Sequence, residues 1–237
     1  MGKSPGDVML ASYAGSVQSL EERRAAGTQY WEVNMDLLIY GNVAYFVILL
    51  LLRWWMKDRD AYNPRLFMQM YNLSCVVLAG ISGVCIGLYK LNHIGGKFVC
   101  NERGTQLNDT ADGLLQWGFW FFYHQKFWEF LDTFIFMLRK SYRQVSFLHV
   151  FHHSSITFIT ALGVQYDASG DTYLASLLNS WVHVLMYGHY FLTSIGSTLS
   201  APLRPYLTSM QLIQFLIILG QHFYAYAMGE DCGFGNW

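Results

Sequence analysis

The chain has 237 residues, of which 53% are hydrophobic, 17% aromatic and 13% charged, with a formal net charge of −1. A soluble domain carries roughly 25% charged residues, so this chain has too little charge to cover a surface in water and reads as embedded in lipid. The near-neutral balance, with no basic stripe or long charge run, excludes nucleic-acid binding and a disordered tail, and four cysteines without paired C-x-x-C spacing exclude a zinc ribbon and a disulfide-dense scaffold.

Residues 1–36 are polar to mixed and lack the basic n-region and apolar h-region of a cleavable signal peptide. They read as a non-cytosolic N-terminal segment. Residues 37–237 read as one multi-span membrane domain. Six apolar stretches follow in order, at residues 37–55, 67–91, 114–138, 147–164, 173–195 and 207–228. Each is near the roughly 20 residues that cross a bilayer as a helix. Pro5, Pro64, Pro202 and Pro205 all fall outside these stretches, as helix breakers should. The expected fold is therefore all-α, a multi-pass helical bundle.

Lys and Arg counted in alternate loops set the orientation. One side holds Arg53, Lys57, Arg59, Arg65, Arg139, Lys140, Arg143 and Arg204; the other holds Lys3, Arg23, Arg24, Lys90, Lys97 and Arg103, spread over longer segments. The bias directs the first side to the cytosol and the N-terminus to the lumen. The sequon Asn108-Asp109-Thr110 lies on the lumenal side, as do Cys100 and Cys232, which an oxidising lumen would let pair. Cys75 and Cys85 lie inside the second stretch and read as packing residues, and the sequon Asn72-Leu73-Ser74 there reads as unused.

An ionisable side chain inside a span costs about 2.5–3.5 kcal/mol on insertion scales, so each one needs a reason. The third stretch carries Lys126, Glu129, Asp132 and Thr133, along one side of a helix. The plain alternative is a polar clamp between helices. The fourth opens with His149, His152 and His153, three imidazoles on one helical face, a grouping that packing alone does not explain. The fifth carries Asn179, His183, Met186, Tyr187 and Tyr190 as a single stripe, and the sixth Thr208, Gln211, Gln214 and Gln221. By a rise of about 1.5 Å per residue, Asp132 lies roughly 10 Å from Arg139 and Gln211 roughly 10 Å from Arg204. The polar groups of four spans therefore converge in the cytosolic half and middle of the bilayer. This describes a reaction chamber opening to the cytosol, with an apolar extension behind it.

Two chemistries use clustered membrane histidines. A di-iron desaturase or hydroxylase needs several histidine boxes, and only one is present, with His93, His124 and His222 isolated. The other is metal-free acyl chemistry, in which imidazole serves as base or acyl acceptor while Asn179 and Lys126 donate to a developing oxyanion. A non-catalytic lipid binder is the third reading.

The residues at this point resemble the ELO family of fatty-acid elongases, the very-long-chain 3-ketoacyl-CoA synthases. Lys126-x-x-Glu129-x-x-Asp132-Thr133 is similar to that family's KxxExxDT element, and His149-x-x-His152-His153 to its HxxHH box. His183-x-x-Met186-Tyr187 with Tyr190 is similar to its HxxMYxYY element, and Thr208-x-x-Gln211-x-x-Gln214 to its TxxQxxQ element. The runs Gln144-Val145-Ser146-Phe147-Leu148 and Asn179-Ser180-Trp181-Val182 look most like members acting on polyunsaturated chains.

The resemblance implies condensation of malonyl-CoA with an acyl-CoA, releasing CO2 and CoA and leaving a 3-ketoacyl-CoA, with no metal or cofactor. It implies His149, His152, His153 and His183 as catalytic groups. Lys126, Glu129, Asp132, Thr133, Asn179, Met186, Tyr187, Tyr190, Gln211 and Gln214 would contact substrate. It further implies the endoplasmic reticulum membrane, with a separate ketoacyl-CoA reductase, dehydratase and enoyl-CoA reductase as partners. His189 stands where the family usually has tyrosine, an expected difference on that side of the chamber. Measured against the family's seven spans, the six here read as a shortened form.

Overall fold

The structure is a computed structural model and describes residues 33–92, 98–101, 109–166 and 171–228. It is all-helical. The helices are α1 (Met35–Trp55), α2 (Arg65–Asn92), α3 (Asp109–Trp128), α4 (Phe130–Leu138), α5 (Phe147–Tyr166), α6 (Thr172–Ser194) and α7 (Leu207–Met228), with a 3-10 turn at Ala201–Tyr206. Each begins and ends within a few residues of its apolar stretch, apart from one correction. The third stretch is not a single helix: it breaks at Glu129 into α3 and α4.

The ends follow from local chemistry. Asn34 caps α1 by accepting the Leu37 amide at 3.0 Å. Pro64 stands just before α2, where its missing N–H costs nothing, and Pro202 and Pro205 lie in the 3-10 turn. Gly196, at φ +85°, ends α6 with Ser197 N–H bonded back to Leu192 O at 2.9 Å.

The bundle is inverted relative to a soluble one. Leu216 and Phe223 are 69% and 73% exposed, while Asn42, Gln125, Lys126, Glu129, Thr133, His153, His183 and Gln214 are buried. Side chains this apolar on the outside belong in hydrocarbon. By length and composition α1, α2 and residues 147–164 of α5 are each long and apolar enough to cross a membrane. The other long helices hold more of the polar residues that line the interior.

α2 packs chiefly on α6 and α3, α3 on α5, α6 on α7, and α1 on α4 and α5. The α2–α3 contact is close because Gly118 lets the backbones approach: a Cβ there would stand 2.5 Å from Ile86 Cγ1 and 3.2 Å from the Ile86 backbone nitrogen. Ser82 Oγ donates to Gly118 O at 2.9 Å, and Ser180 Oγ donates to Ser82 Oγ at 3.2 Å, joining α2, α3 and α6. On the other side Asn42 ties α1 to α5, donating to Thr157 Oγ1 and accepting from Ser154 Oγ, both at 2.9 Å. Small polar groups at such crossings are the usual glue between helices in lipid.

The two ends differ. At one, Arg53 lies over the Tyr142 ring at 4.3 Å, Lys140 donates to Lys57 O, and Arg65 to Ser194 O at 3.2 Å. Arg53, Arg65 and Lys140, which the loop count placed on one side, lie at this end. At the other end Asp171 accepts from the Cys100 and Asn101 amides at 2.8 and 3.0 Å, and Gln221 on α7 donates to Asp171 O at 3.0 Å. Cys100 is disulfide-bonded, and Cys75 and Cys85 are free thiols. The expected partner Cys232, and the sequon's Asn108, lie outside the described residues.

Candidate active site

The break between α3 and α4 organises the site. Glu129 keeps helical dihedrals, φ −66° and ψ −14°, but the Asp132 amide bonds back three residues, to Glu129 O at 3.1 Å. This is a tightened, 3-10-like turn. It sets the Glu129 carboxylate, 1% exposed, at the centre of a donor cluster. Gln125 Nε2 donates to Oε1 at 2.9 Å, Lys126 Nζ lies 3.2 and 3.3 Å from the two oxygens, and His183 Nδ1 is 2.7 Å from Oε1. Lys126 Nζ also donates to Asn179 Oδ1 at 2.9 Å and sits 4.5 Å over the Phe122 ring. A charge taken this far from water persists only when paired and hydrogen-bonded, and both members of the pair meet that condition.

Two orientations follow. A carboxylate only accepts, so the His183 proton is on Nδ1 and the ring's Nε2 is left as the basic nitrogen. The Asn179 oxygen is held by Lys126, so its amide Nδ2 remains to donate.

Lower on α4, Tyr187 donates to Asp132 Oδ2 at 2.5 Å, and Tyr71 packs edge-on to Tyr187 with centroids 6.0 Å apart. Thr133 Oγ1 lies 2.9 Å from both Tyr45 Oη and His149 Nε2. The histidines of α5 cluster, His149 tilted against His153 at 4.4 Å and His152 edge-on to His153 at 5.7 Å between centroids. From α7, Gln211 Nε2 reaches Met186 Sδ at 3.3 Å.

These groups surround one cavity of about 740 Å³, within the usual size range for a small-molecule site. Glu129, Asp132, His149, His152, His153, Asn179, His183, Met186, Tyr187, Tyr190, Gln211 and Gln214 line it, together with Thr208. Phe136, Leu148, Leu212 and Phe215 supply apolar wall, and Gln144 and Ser146 carry it to the α4–α5 connection at the basic end. Two buried polar atoms in this wall, His153 Nδ1 and Gln214 Oε1, have no hydrogen-bond partner among the described residues.

Lys126 and Thr133 stand behind the wall, bonded to residues that form it. His189 also stands outside it, with Nδ1 2.9 Å from Ser200 Oγ, and so joins α6 to the 3-10 turn. The expected difference at that position therefore does not bear on the chamber wall. Among the described residues no set of three or more His, Cys, Asp or Glu side chains has the geometry of a metal site. The motif residues of the sequence do not include Gln125 or Tyr45. Gln125 was findable, four residues before Glu129 on the same face, but Tyr45 was not, since an aromatic in an apolar span looks like packing.

The chain matches the family described as ELO, GNS1/SUR4, over residues 30–237. It belongs to that family. The ELO chain is 34% identical over 187 residues to "Very long chain fatty acid elongase 4" of Mus musculus, covering 77% of this chain and 58% of the relative. It is 36% identical over 188 residues to "Fatty acid elongase 5" of Leishmania major, covering 79% and 71%. To "Very long chain fatty acid elongase 5" of Bos taurus it is 34% identical over 227 residues, covering 91% and 71%. It thus spans little more than half the length of the elongase 4 relatives. The ELO chain is a multi-pass, all-helical membrane protein.

Proposed function

We propose that the protein is a fatty-acid elongase that condenses malonyl-CoA with a long-chain, polyunsaturated acyl-CoA. The products are 3-ketoacyl-CoA, CO2 and CoA. The observation that carries this reading is the His183–Glu129 contact beside the His149, His152, His153 cluster, all facing one chamber. The names of the relatives support the elongase class.

In the reaction, one imidazole of the set attacks the thioester carbonyl of the acyl-CoA. An acyl–imidazole bond forms, the C–S bond breaks, and CoA leaves with a proton. Malonyl-CoA then loses CO2, and the enolate left behind attacks the acyl carbonyl; the C–N bond breaks and the departing imidazole takes up one proton from water. His183, with Nδ1–H held by Glu129, offers its Nε2 lone pair for either step. Asn179 Nδ2 donates to the oxyanion or enolate. Lys126 acts through Glu129 and Asn179, while Asp132 and Thr133 orient Tyr187 and His149. Tyr190, Met186, Gln211 and Gln214 form the wall against which the substrate lies. The scheme calls for no metal or cofactor.

We place the chamber mouth, at the basic end, toward the cytosol of the endoplasmic reticulum, where the anionic CoA moieties meet Arg139, Lys140 and Arg143. The 3-ketoacyl-CoA would pass to a ketoacyl-CoA reductase, a dehydratase and an enoyl-CoA reductase. The test is incorporation of radiolabelled malonyl-CoA into acyl-CoA primers by membranes containing the chain. The expected result is a two-carbon extension, faster with polyunsaturated than with saturated primers. No incorporation with any primer would overturn the reading.

A further inference from the structure

The histidine box and the KxxExxDT element are joined to α1 by a buried relay. Tyr45 Oη and Thr133 Oγ1 are 2.9 Å apart, and Thr133 Oγ1 and His149 Nε2 are 2.9 Å apart. Tyr45 is 1% exposed and Thr133 is fully buried. Tyr45 stacks on Phe130 at 4.2 Å, which fixes its ring. Among the described residues Thr133 is the only hydrogen-bond partner of the Tyr45 hydroxyl, and Thr133 has no partner beyond Tyr45 and His149.

These facts decide which way the protons run. Were Thr133 to donate to Tyr45, the phenolic proton would be buried with no acceptor. Tyr45 therefore donates to Thr133. The threonine has a single proton of its own, and His149 Nε2 is the one acceptor left for it. Had His149 Nε2–H donated instead, the threonine proton would in turn be orphaned.

We propose that Tyr45 is a positioning residue that, through Thr133, holds His149 as the Nδ1–H tautomer, so that His149 serves the chamber as a proton-bearing donor and not as its base or nucleophile. Nε2 is engaged by Thr133, and Nδ1 has no partner among the described residues while His149 lines the cavity. The N–H is suited to a carbonyl or enolate oxygen of the substrate. His183 is the complement, with its Nδ1–H spent on Glu129 and its Nε2 lone pair available. One chamber thus holds a donor imidazole and a basic imidazole in fixed opposite tautomers, each set by a different neighbour.

The assignment of a catalytic use rests on the elongase reading, whereas the tautomer itself does not. The first measurement is nitrogen NMR of the full chain with labelled histidine in lipid nanodiscs without substrate, the His149 signal being assigned by its loss in His149→Gln. Protonation at Nδ1 is expected. Thr133→Val should move the proton toward Nε2 and Thr133→Ser should restore it, while Tyr45→Phe, which removes the donation that polarises the Thr133 hydroxyl, should shift it part of the way. An Nε2–H form in the native chain, or a tautomer untouched by Tyr45→Phe, overturns the proposal.

The second measurement is malonyl-CoA condensation. Tyr45→Phe should lower kcat about fivefold, the population equivalent of one neutral hydrogen bond, with KM unchanged. His149→Gln keeps an N–H but cannot act as base, and should retain kcat about tenfold or more above that of His149→Ala. Equal loss in both would overturn the donor role. A native chain that condenses nothing while His149 carries its proton on Nδ1 would sink the elongase reading and leave the relay standing.

Discussion

His183 gives its Nδ1 proton to Glu129 Oε1 across 2.7 Å, joining two helices through residues 54 apart in the chain. The same oxygen accepts from Gln125 and Lys126. One carboxylate therefore neutralises the buried ammonium and orients the imidazole, so a substitution at Glu129 separates structural from chemical roles.

Glu129→Gln leaves the Lys126 ammonium buried without its counter-charge and should destabilise the protein by about 3–5 kcal/mol. Adding Lys126→Met removes the orphaned charge and should recover most of that loss. Condensation should remain lost in both. Unfolding in detergent, paired with malonyl-CoA incorporation, reads the two effects separately. Recovery of activity in the double variant would contradict the role given to the Glu129–His183 contact.

Asn179→Ala deletes an amide donor whose oxygen is already spent on Lys126. A lost oxyanion donor costs about 10²–10³ in kcat, and a loss of that size is expected with a smaller change in KM. A change confined to KM would make Asn179 a ground-state binding residue.

His152→Ala should abolish condensation while the protein remains folded, because His152 lines the chamber and its ring makes no hydrogen bond to another described residue. Circular dichroism and size-exclusion profiles matching the native chain, with no labelled product, are the expected pair. Retained turnover would remove His152 from the catalytic set.

Gly118→Ala forces a methyl group against Ile86 and its backbone amide. Overpacking of a tight contact costs about 1–3 kcal/mol, and the crossing of α2 and α3 should loosen accordingly. Thermal unfolding should show the loss.

Prolonged dialysis against a strong chelator should leave condensation unchanged, since imidazole and amide groups supply every step proposed. Elemental analysis accompanies the assay. Activity that falls on chelation and returns with added iron would restore the oxidase-type reading.

Much of the fold could be read in the amino-acid order. Apolar length located the helices, the prolines marked their boundaries, and Arg65 and Lys140 lie at one end of the bundle, as their shared loop side predicts. The polar stripes on residues 126–133, 149–153 and 179–190 named most of the chamber wall, because a polar group in a span is expensive wherever it sits and so stands out. Helical spacing also grouped Lys126 with Glu129 and His149 with His153.

What spacing could not reach was the division of labour among those residues. Periodicity reports which side chains share a face of one helix, whereas the contacts that assign roles here run between helices. Lys126 and Asn179 are 53 residues apart, His183 and Glu129 54, and Tyr45 and Thr133 88. The packing of α3 and α4 against α1, α5 and α6 turned Lys126 and Thr133 from substrate contacts into supports and drew Tyr45, an aromatic of an apolar span, into the site. The order of residues determined that a polar chamber exists and which helices build it. Only the tertiary structure decided which nitrogen of each histidine holds its proton, because that depends on an acceptor or donor contributed by another helix.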